Sequence, residues 1–148
     1  MVINYRALNV ALMPIRYPVP NKDELFAKIG VNNIFNKFDL KSGFWQMGIK
    51  LADRYKTTSI VPHGQYQWKF MPFGLMNAPS EFQKRMEDVF RYFDFVIVYI
   101  DDLLVFSLDM NQHKKQLENV YHRIYKHGIL LSKTNITFYP TLECILFD

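Results

Sequence analysis

The chain has 148 residues, 49% hydrophobic and 16% aromatic, and 18 Lys plus Arg against 14 Asp plus Glu give a formal net charge of +4. That much apolar material can bury a core, which excludes a disordered chain and makes one domain, or a large piece of one, the expectation. The lone cysteine, Cys144, excludes an internal disulfide framework and a multi-cysteine zinc site and suits a reducing compartment, while the basic balance suits a partner that carries phosphates.

In chain order, Val2 to Leu8 reads as a short strand, and Tyr17-Pro18-Val19-Pro20 as extended, because each proline disfavours helix in the residue before it. Asn21 with Glu24 has capping-box spacing and opens a helix with Leu25, Phe26 and Ile29 inward and Gly30 at its end. Strands are expected at Ile34 to Leu40, Gln46 to Lys50, Thr57 to Val61 and Tyr66 to Met71, the last two joined by Pro62-His63-Gly64. Pro79 suits the first turn of a helix in which Phe82, Met86, Val89 and Phe90 recur at helical spacing.

A hairpin follows, with Phe95 to Val98 and Leu103 to Phe106 as its arms and Asp101 and Asp102 at its tip. Gln112 to His127 is then a helix with Leu117, Val120, Tyr121 and Ile124 inward and Gly128 closing it. Two short strands, Ile129 to Ser132 and Ile136 to Tyr139, end the pattern. Strands and helices mix without βαβ alternation, which makes the fold class α+β. No stretch is long and apolar enough to cross a bilayer, and Met1 to Arg16 lacks a secretory pattern; an intracellular protein, neither secreted nor in a membrane, is expected.

Three carboxylates interrupt core-like runs: Asp39 after Ile34 to Phe38, and the adjacent Asp101 and Asp102 between two apolar arms. Aspartate is common in hairpin turns, so Asp101-Asp102 alone reads equally as a turn or as half of a metal site. Adjacent ionised carboxylates in apolar surroundings repel and lose solvation, which a divalent cation would relieve. If the two strand ends are sheet neighbours, Asp39 joins the pair in an oxygen-rich site suited to magnesium and to phosphoryl transfer. The four histidines, His63, His113, His122 and His127, show no metal-ligand spacing and read as solvated positions.

Four blocks carry a resemblance: Asn4-Tyr5-Arg6-Ala7-Leu8-Asn9, the run from Phe38 through Asp39 and Phe44 to Gln46, the run from Met71 through Phe73, Gly74 and Pro79 to Gln83, and the run from Val98 through Tyr99-Ile100-Asp101-Asp102 to Ser107. In this order and register the chain resembles the reverse transcriptases of the Ty3/gypsy and plant pararetrovirus (caulimovirus-like) group. Gly64-Gln65-Tyr66-Gln67-Trp68 and the spacing to His113 favour the pararetrovirus side.

The resemblance implies a polymerase palm, an antiparallel sheet backed by helices, with part of the fingers. It implies an RNA-directed DNA polymerase, a nucleotidyltransferase that extends a primer 3′-OH from dNTPs on an RNA or DNA template. Asp39 and Asp101 would hold two Mg2+ ions, with Asp102 beside them as a less direct metal and catalytic residue. Phe44 would exclude a ribose 2′-hydroxyl, Phe73 and Gly74 would pack by the nucleotide, Tyr99 would sit against the primer end and Gln83 near the template. Arg6, Lys41 and Lys56 are candidate phosphate contacts, as are Arg54, Lys84 and Arg85. Bland alternatives stand beside these roles: a core aromatic for Phe44, a structural turn for Phe73-Gly74 and an ordinary helix residue for Gln83; Tyr66, Trp68 and Phe70 read as sheet packing rather than a base-stacking platform.

Departures from the family pattern are Asn4 in place of aspartate, Asn135 in place of lysine with Lys133 two residues early, and Leu146-Phe147-Asp148 in place of Leu-Gly-His. Relative to that pattern, residues 1–148 are a partial domain, without the N-terminal fingers, the thumb or ribonuclease H, and the remainder of a larger retroelement polyprotein would be required. Two readings follow: a working polymerase domain, or an inactive relic of an endogenous pararetrovirus or retrotransposon that at most binds nucleic acid weakly. A carboxylate-pair hydrolase or nuclease would need neither Phe44 nor the Pro72-Phe73-Gly74 block.

Overall fold

Helix-end chemistry and strand alternation set most element boundaries in the computed structural model, which describes residues 3–18 and 20–139. Among these the elements run α1 (Arg6–Ala11), α2 (Lys22–Ile29), β1 (Ile34–Leu40), 3₁₀ turns at Gly43–Gln46 and Leu51–Thr57, β2 (Ser59–Val61), β3 (Gly64–Tyr66), α3 (Ala78–Phe90), β4 (Val96–Tyr99), β5 (Asp102–Ser107), α4 (Met110–His127) and β6 (Leu131–Tyr139). The reciprocal Asn21–Glu24 capping box starts α2, Pro79 sits in the first turn of α3, and Gly128 ends α4 in the left-handed region at φ 64°. Cys144, the 146–148 ending, Val19 and the side chains of Lys133 and Asn135 lie outside the described residues.

The four-stranded antiparallel sheet has the order β4-β5-β1-β6, and β2 and β3 form a separate hairpin. With α3 and α4 packed on the sheet, the α+β expectation holds. Strand alternation sorts the apolar residues onto two faces. Phe38, Leu40, Leu103, Val105, Val96 and Val98 meet Phe82, Met86, Val89 and Phe90 of α3 and Val120 and Ile124 of α4. On the other face a smaller cluster of Phe35, Ile97 and Phe106 packs on Ile29 of α2. Asp39 and Asp102 share the parity of that second face, beyond its cluster. Among the described residues no helix is long and apolar enough to cross a membrane.

Several expectations are corrected. The strand expected at Val2 to Leu8 gives way to α1: Asn4 Oδ1 accepts from the Arg6 N–H at 3.0 Å and starts the helix, while the Asn9 side chain is drawn to Gly74 O (2.8 Å) and the Met76 N–H (2.9 Å). Gln46 to Lys50 is not a strand, because Gln46 folds inward to bond Lys41 O (2.6 Å) and Leu130 O (2.9 Å), leaving a single bridge between Gly48 and Phe70. Of the strand expected from Tyr66 to Met71, Tyr66 lies in β3, paired with Ser59, and Phe70 keeps only that bridge. The last two strands are one, β6, whose register against β1 shifts between Phe38 and Leu40. Phe26 is 39% exposed rather than inward, and Tyr121 is 44% exposed with its ring edge-on to Phe38.

His113, expected in solvent, is 1% exposed. Its Nδ1 lies 2.7 Å from Ser107 Oγ and its Nε2 2.8 Å from Asn36 Oδ1, while Ser107 Oγ donates to Gln116 Oε1. A neutral ring satisfies both neighbours once the Asn36 amide presents its N–H to Nε2, since the two ends of an amide are interchangeable in shape. The cluster ties α4 to β1 and β5. Burial pushes the His113 pKa below its ordinary 6.5, so the folded state binds this proton less readily than the unfolded chain. The stability this provides is fully present above pH 6.5 and falls as the pH drops through and below that value. Urea unfolding between pH 7.5 and 5 should therefore show the wild type losing stability toward acid relative to His113→Gln. Removal of the ring in His113→Ala leaves Asn36 and Ser107 without it and should cost about 1–3 kcal/mol.

Candidate active site

Strands β1 and β5 pair antiparallel in a register that sets Ile34 against Ser107 and ends with Asp39 against Asp102. Directly opposed residues of an antiparallel pair project to the same side, so two carboxylates meet at one sheet end. Tyr99 pairs with Asp102 across the β4–β5 hairpin, so the turn consists of Ile100 and Asp101, and Asp102 is the first strand residue rather than part of the tip. The Leu40 N–H donates to Asp101 O at 2.8 Å, which ties the turn to the end of β1.

Ile100 has φ +50°, a conformation that costs a β-branched residue about 1–3 kcal/mol unless its surroundings impose it. Gln83 of α3 does so. Its Oε1 accepts from the Ile100 N–H at 2.7 Å and its Nε2 donates to Val98 O at 2.8 Å, both from a fully buried side chain. Nε2 also donates to Glu87 Oε1 at 2.6 Å, and the Tyr17 hydroxyl donates to Glu87 Oε2, which pushes the Tyr17 pKa up to about 12. Gln83 was expected near a template strand. With both amide donors engaged it faces the hairpin backbone instead, and only the tertiary packing reveals that role.

The acidic group is asymmetric. Asp102 lies 3.4 Å from Lys37 Nζ with both side chains partly exposed, a pairing of small energetic weight. Asp101 has its Oδ1 buried with no hydrogen-bond partner. Burial pushes its pKa up, and the neighbouring charges of Asp39 and Asp102 push in the same direction. Among the described residues no three Asp, Glu, His or Cys side chains converge to enclose an ion. What is present is Asp39 within electrostatic reach of an Asp101 oxygen that lacks a donor. That donor set fits Mg2+, which takes one or two protein carboxylates and fills its remaining positions with water and substrate oxygens.

Beside the carboxylates, Phe44 in the Gly43–Gln46 turn is held edge-on by Phe82 (5.6 Å between centroids) and Phe73 (5.4 Å). Phe73 is 50% exposed, and the tilted pairs of Trp45 with Phe73 and Trp68 extend an aromatic surface outward. Trp45 follows Phe44 directly in the chain, and that adjacency is the only sequence signal for its place in this surface. Gly74 has φ +92°, so its loop needs a glycine for backbone reasons. Tyr66 and Phe70 are 60% and 52% exposed, so sheet packing does not describe them. Tyr99 is exposed at the hairpin. Of the cations, Arg6 and Lys41 are exposed, whereas Lys56 is bonded to Asp53 at 2.6 Å and Arg54 Nε donates to Ile49 O.

The chain is similar to known proteins in sequence and in fold. The family model for reverse transcriptase (RNA-dependent DNA polymerase) matches residues 1–144. The chain is 47% identical over 133 residues to the genome polyprotein of Petunia vein clearing virus (isolate Shepherd), covering 89% of this chain and 6% of that protein. It is 45% identical over 134 residues to the enzymatic polyprotein of Cauliflower mosaic virus (strain Strasbourg), covering 90% of this chain and 20% of the relative. The chain thus spans a small part of the relatives it matches. Among solved structures, the protease-reverse transcriptase of Prototype Foamy Virus (CSH mutant) superposes with a TM-score of 0.80 at 26% identity, over 91% of this chain and 18% of that one. A foamy viral protease-reverse transcriptase in complex with double-stranded DNA gives a TM-score of 0.85 at 24% identity, over 94% of this chain and 25% of that one, a likeness of fold. The chain, with Asp39 paired to Asp102 beside Asp101 at one end of its sheet, belongs to the reverse transcriptase family.

Proposed function

We propose that residues 1–148 form the palm, with part of the fingers, of an RNA-directed DNA polymerase within a larger polyprotein. The reading holds that it extends a primer 3′-OH from dNTPs on an RNA or DNA template. The observation that carries it is the register of β1 and β5, which sets Asp39 opposite Asp102 while the adjacent turn buries an Asp101 oxygen without a partner.

Asp39 and Asp101 would hold two Mg2+ ions, and Asp102, engaged with Lys37, would act from beside them. Bound there, the ions would make the 3′-hydroxyl a better nucleophile and neutralise charge on the departing pyrophosphate. Gln83 keeps the hairpin in place, so the carboxylates need not reorganise when substrate arrives. Phe44, wedged between Phe73 and Phe82, has little freedom to yield to a ribose 2′-hydroxyl. Phe73 and Gly74 would lie along the nucleotide and Tyr99 against the primer end. Exposed Arg6 and Lys41 can meet phosphates directly, and Lys56 only after parting from Asp53.

Two measurements test this reading. In primer extension on an RNA template with Mg2+, using the chain within its longer polyprotein, Asp39→Asn and Asp101→Asn should each lower the rate by at least about 100-fold, and Asp102→Asn by less. Wild-type activity in Asp101→Asn would overturn the assignment. In the same assay Phe44→Ala should raise ribonucleotide use relative to deoxyribonucleotide use by about 10-fold or more; an unchanged ratio would leave Phe44 a packing residue.

A further inference from the structure

The Gly43–Gln46 turn contains a glycine that its backbone does not demand. Gly43 is buried, and the glycines with positive φ are Gly30, Gly64, Gly74 and Gly128. On backbone grounds alanine would fit at position 43 and, by restricting the unfolded chain, would favour the turn. Space is what excludes it. A Cβ there would lie 2.0 Å from Asp101 Oδ1, 3.1 Å from Asp101 Cγ and 3.1 Å from Phe82 Cζ. Phe82 is 1% exposed and held edge-on by Phe44, so the Asp101 side chain is the group that must move. Gly48, in the same segment, is the contrast: a Cβ there meets nothing within 4 Å.

We propose that Gly43 is a positioning residue for Asp101: by lacking a side chain it leaves the buried space that the Asp101 carboxylate fills, and so sets where that carboxylate stands relative to Asp39. The backbone of Asp101 is already tied down, since its carbonyl accepts from the Leu40 N–H and the preceding Ile100 N–H is held by Gln83. What remains free is the short side chain, and Gly43 bounds it from one side. Mg2+ demands near-octahedral geometry, so a carboxylate pushed from this position binds the ion less well. The inference rests on the proposed polymerase reading in taking Asp101 as a metal-holding group.

The test is Mn2+ binding, followed by electron paramagnetic resonance, to the full chain and to Gly43→Ala, Gly48→Ala and Asp101→Asn. Gly43→Ala and Asp101→Asn should each weaken binding by about 10-fold or more, whereas Gly48→Ala should match wild type. Wild-type Mn2+ binding in Gly43→Ala overturns the proposal and leaves the metal assignment standing. Equal binding by wild type and Asp101→Asn overturns the metal assignment and the proposal with it. A double-mutant cycle on the thermal midpoint gives a readout independent of metal and covers a Gly43→Ala chain that folds poorly. Gly43→Ala should lower the midpoint in the wild-type background but not in Asp101→Ala, where the obstructing carboxylate is gone. An equal loss in both backgrounds overturns the proposal.

Discussion

The antiparallel pairing of β1 with β5 is the constraint on which the rest of the molecule depends. Side chains alternate with a period of two, so a slip of one residue would send Asp39 to the opposite face and Phe38 out of the core. Phe38, Leu103 and Val105 are completely buried, and the cost of exposing them enforces the register that also brings the carboxylates together. Chemistry and core packing are thus specified by the same ladder. The His113 cluster fastens its far end, where Asn36 of β1 and Ser107 of β5 meet α4.

At the near end the hairpin is held against its own preferences. Ile100 in the left-handed region and Asp101 with a buried, unpartnered oxygen are both unfavourable, and they are neighbours. The surroundings impose them through Gln83, through the Leu40 N–H and through the space beside Gly43. Unfavourable local conformation concentrated where charge must be displayed is the pattern expected of a preorganised site.

The blocks that carried the family resemblance are, in the structure, contacts with one another. Asn9 of the first block holds Gly74 and Met76 of the third, and Gln83 of the third holds Ile100 of the fourth. Gly43 of the second leaves open the space beside Asp101 of the fourth, and Phe44 packs edge-on against Phe82 of the third. Residues read singly as candidates for nucleotide or template contact divide accordingly. Phe73 and Tyr99 are exposed and Phe44 is partly buried against the core, while Gln83 belongs to the interior scaffold.

Patterns with local causes were legible in the chain: the Asn21–Glu24 capping box, β1 from Ile34 to Leu40, the apolar stripe of α3, Gly128 closing α4, and the three aspartates interrupting apolar runs. Each depends on residues within a few positions of one another, so sequence spacing reports it directly. The sequence also identified the family, because four blocks in register are far more specific than any one of them. The tertiary structure alone decided that Arg6–Ala11 is helix, that Gln46 turns inward, that His113 is buried and that Gln83 grips the hairpin. It also decided which of the two adjacent aspartates points into the interior. Those outcomes draw on partners well beyond one helical turn or strand pair, such as Asn9 with Gly74, Gln46 with Leu130, His113 with Asn36 and Gln83 with Ile100. A hydrogen bond of that range leaves no period in the sequence, because its geometry exists only after the chain has folded.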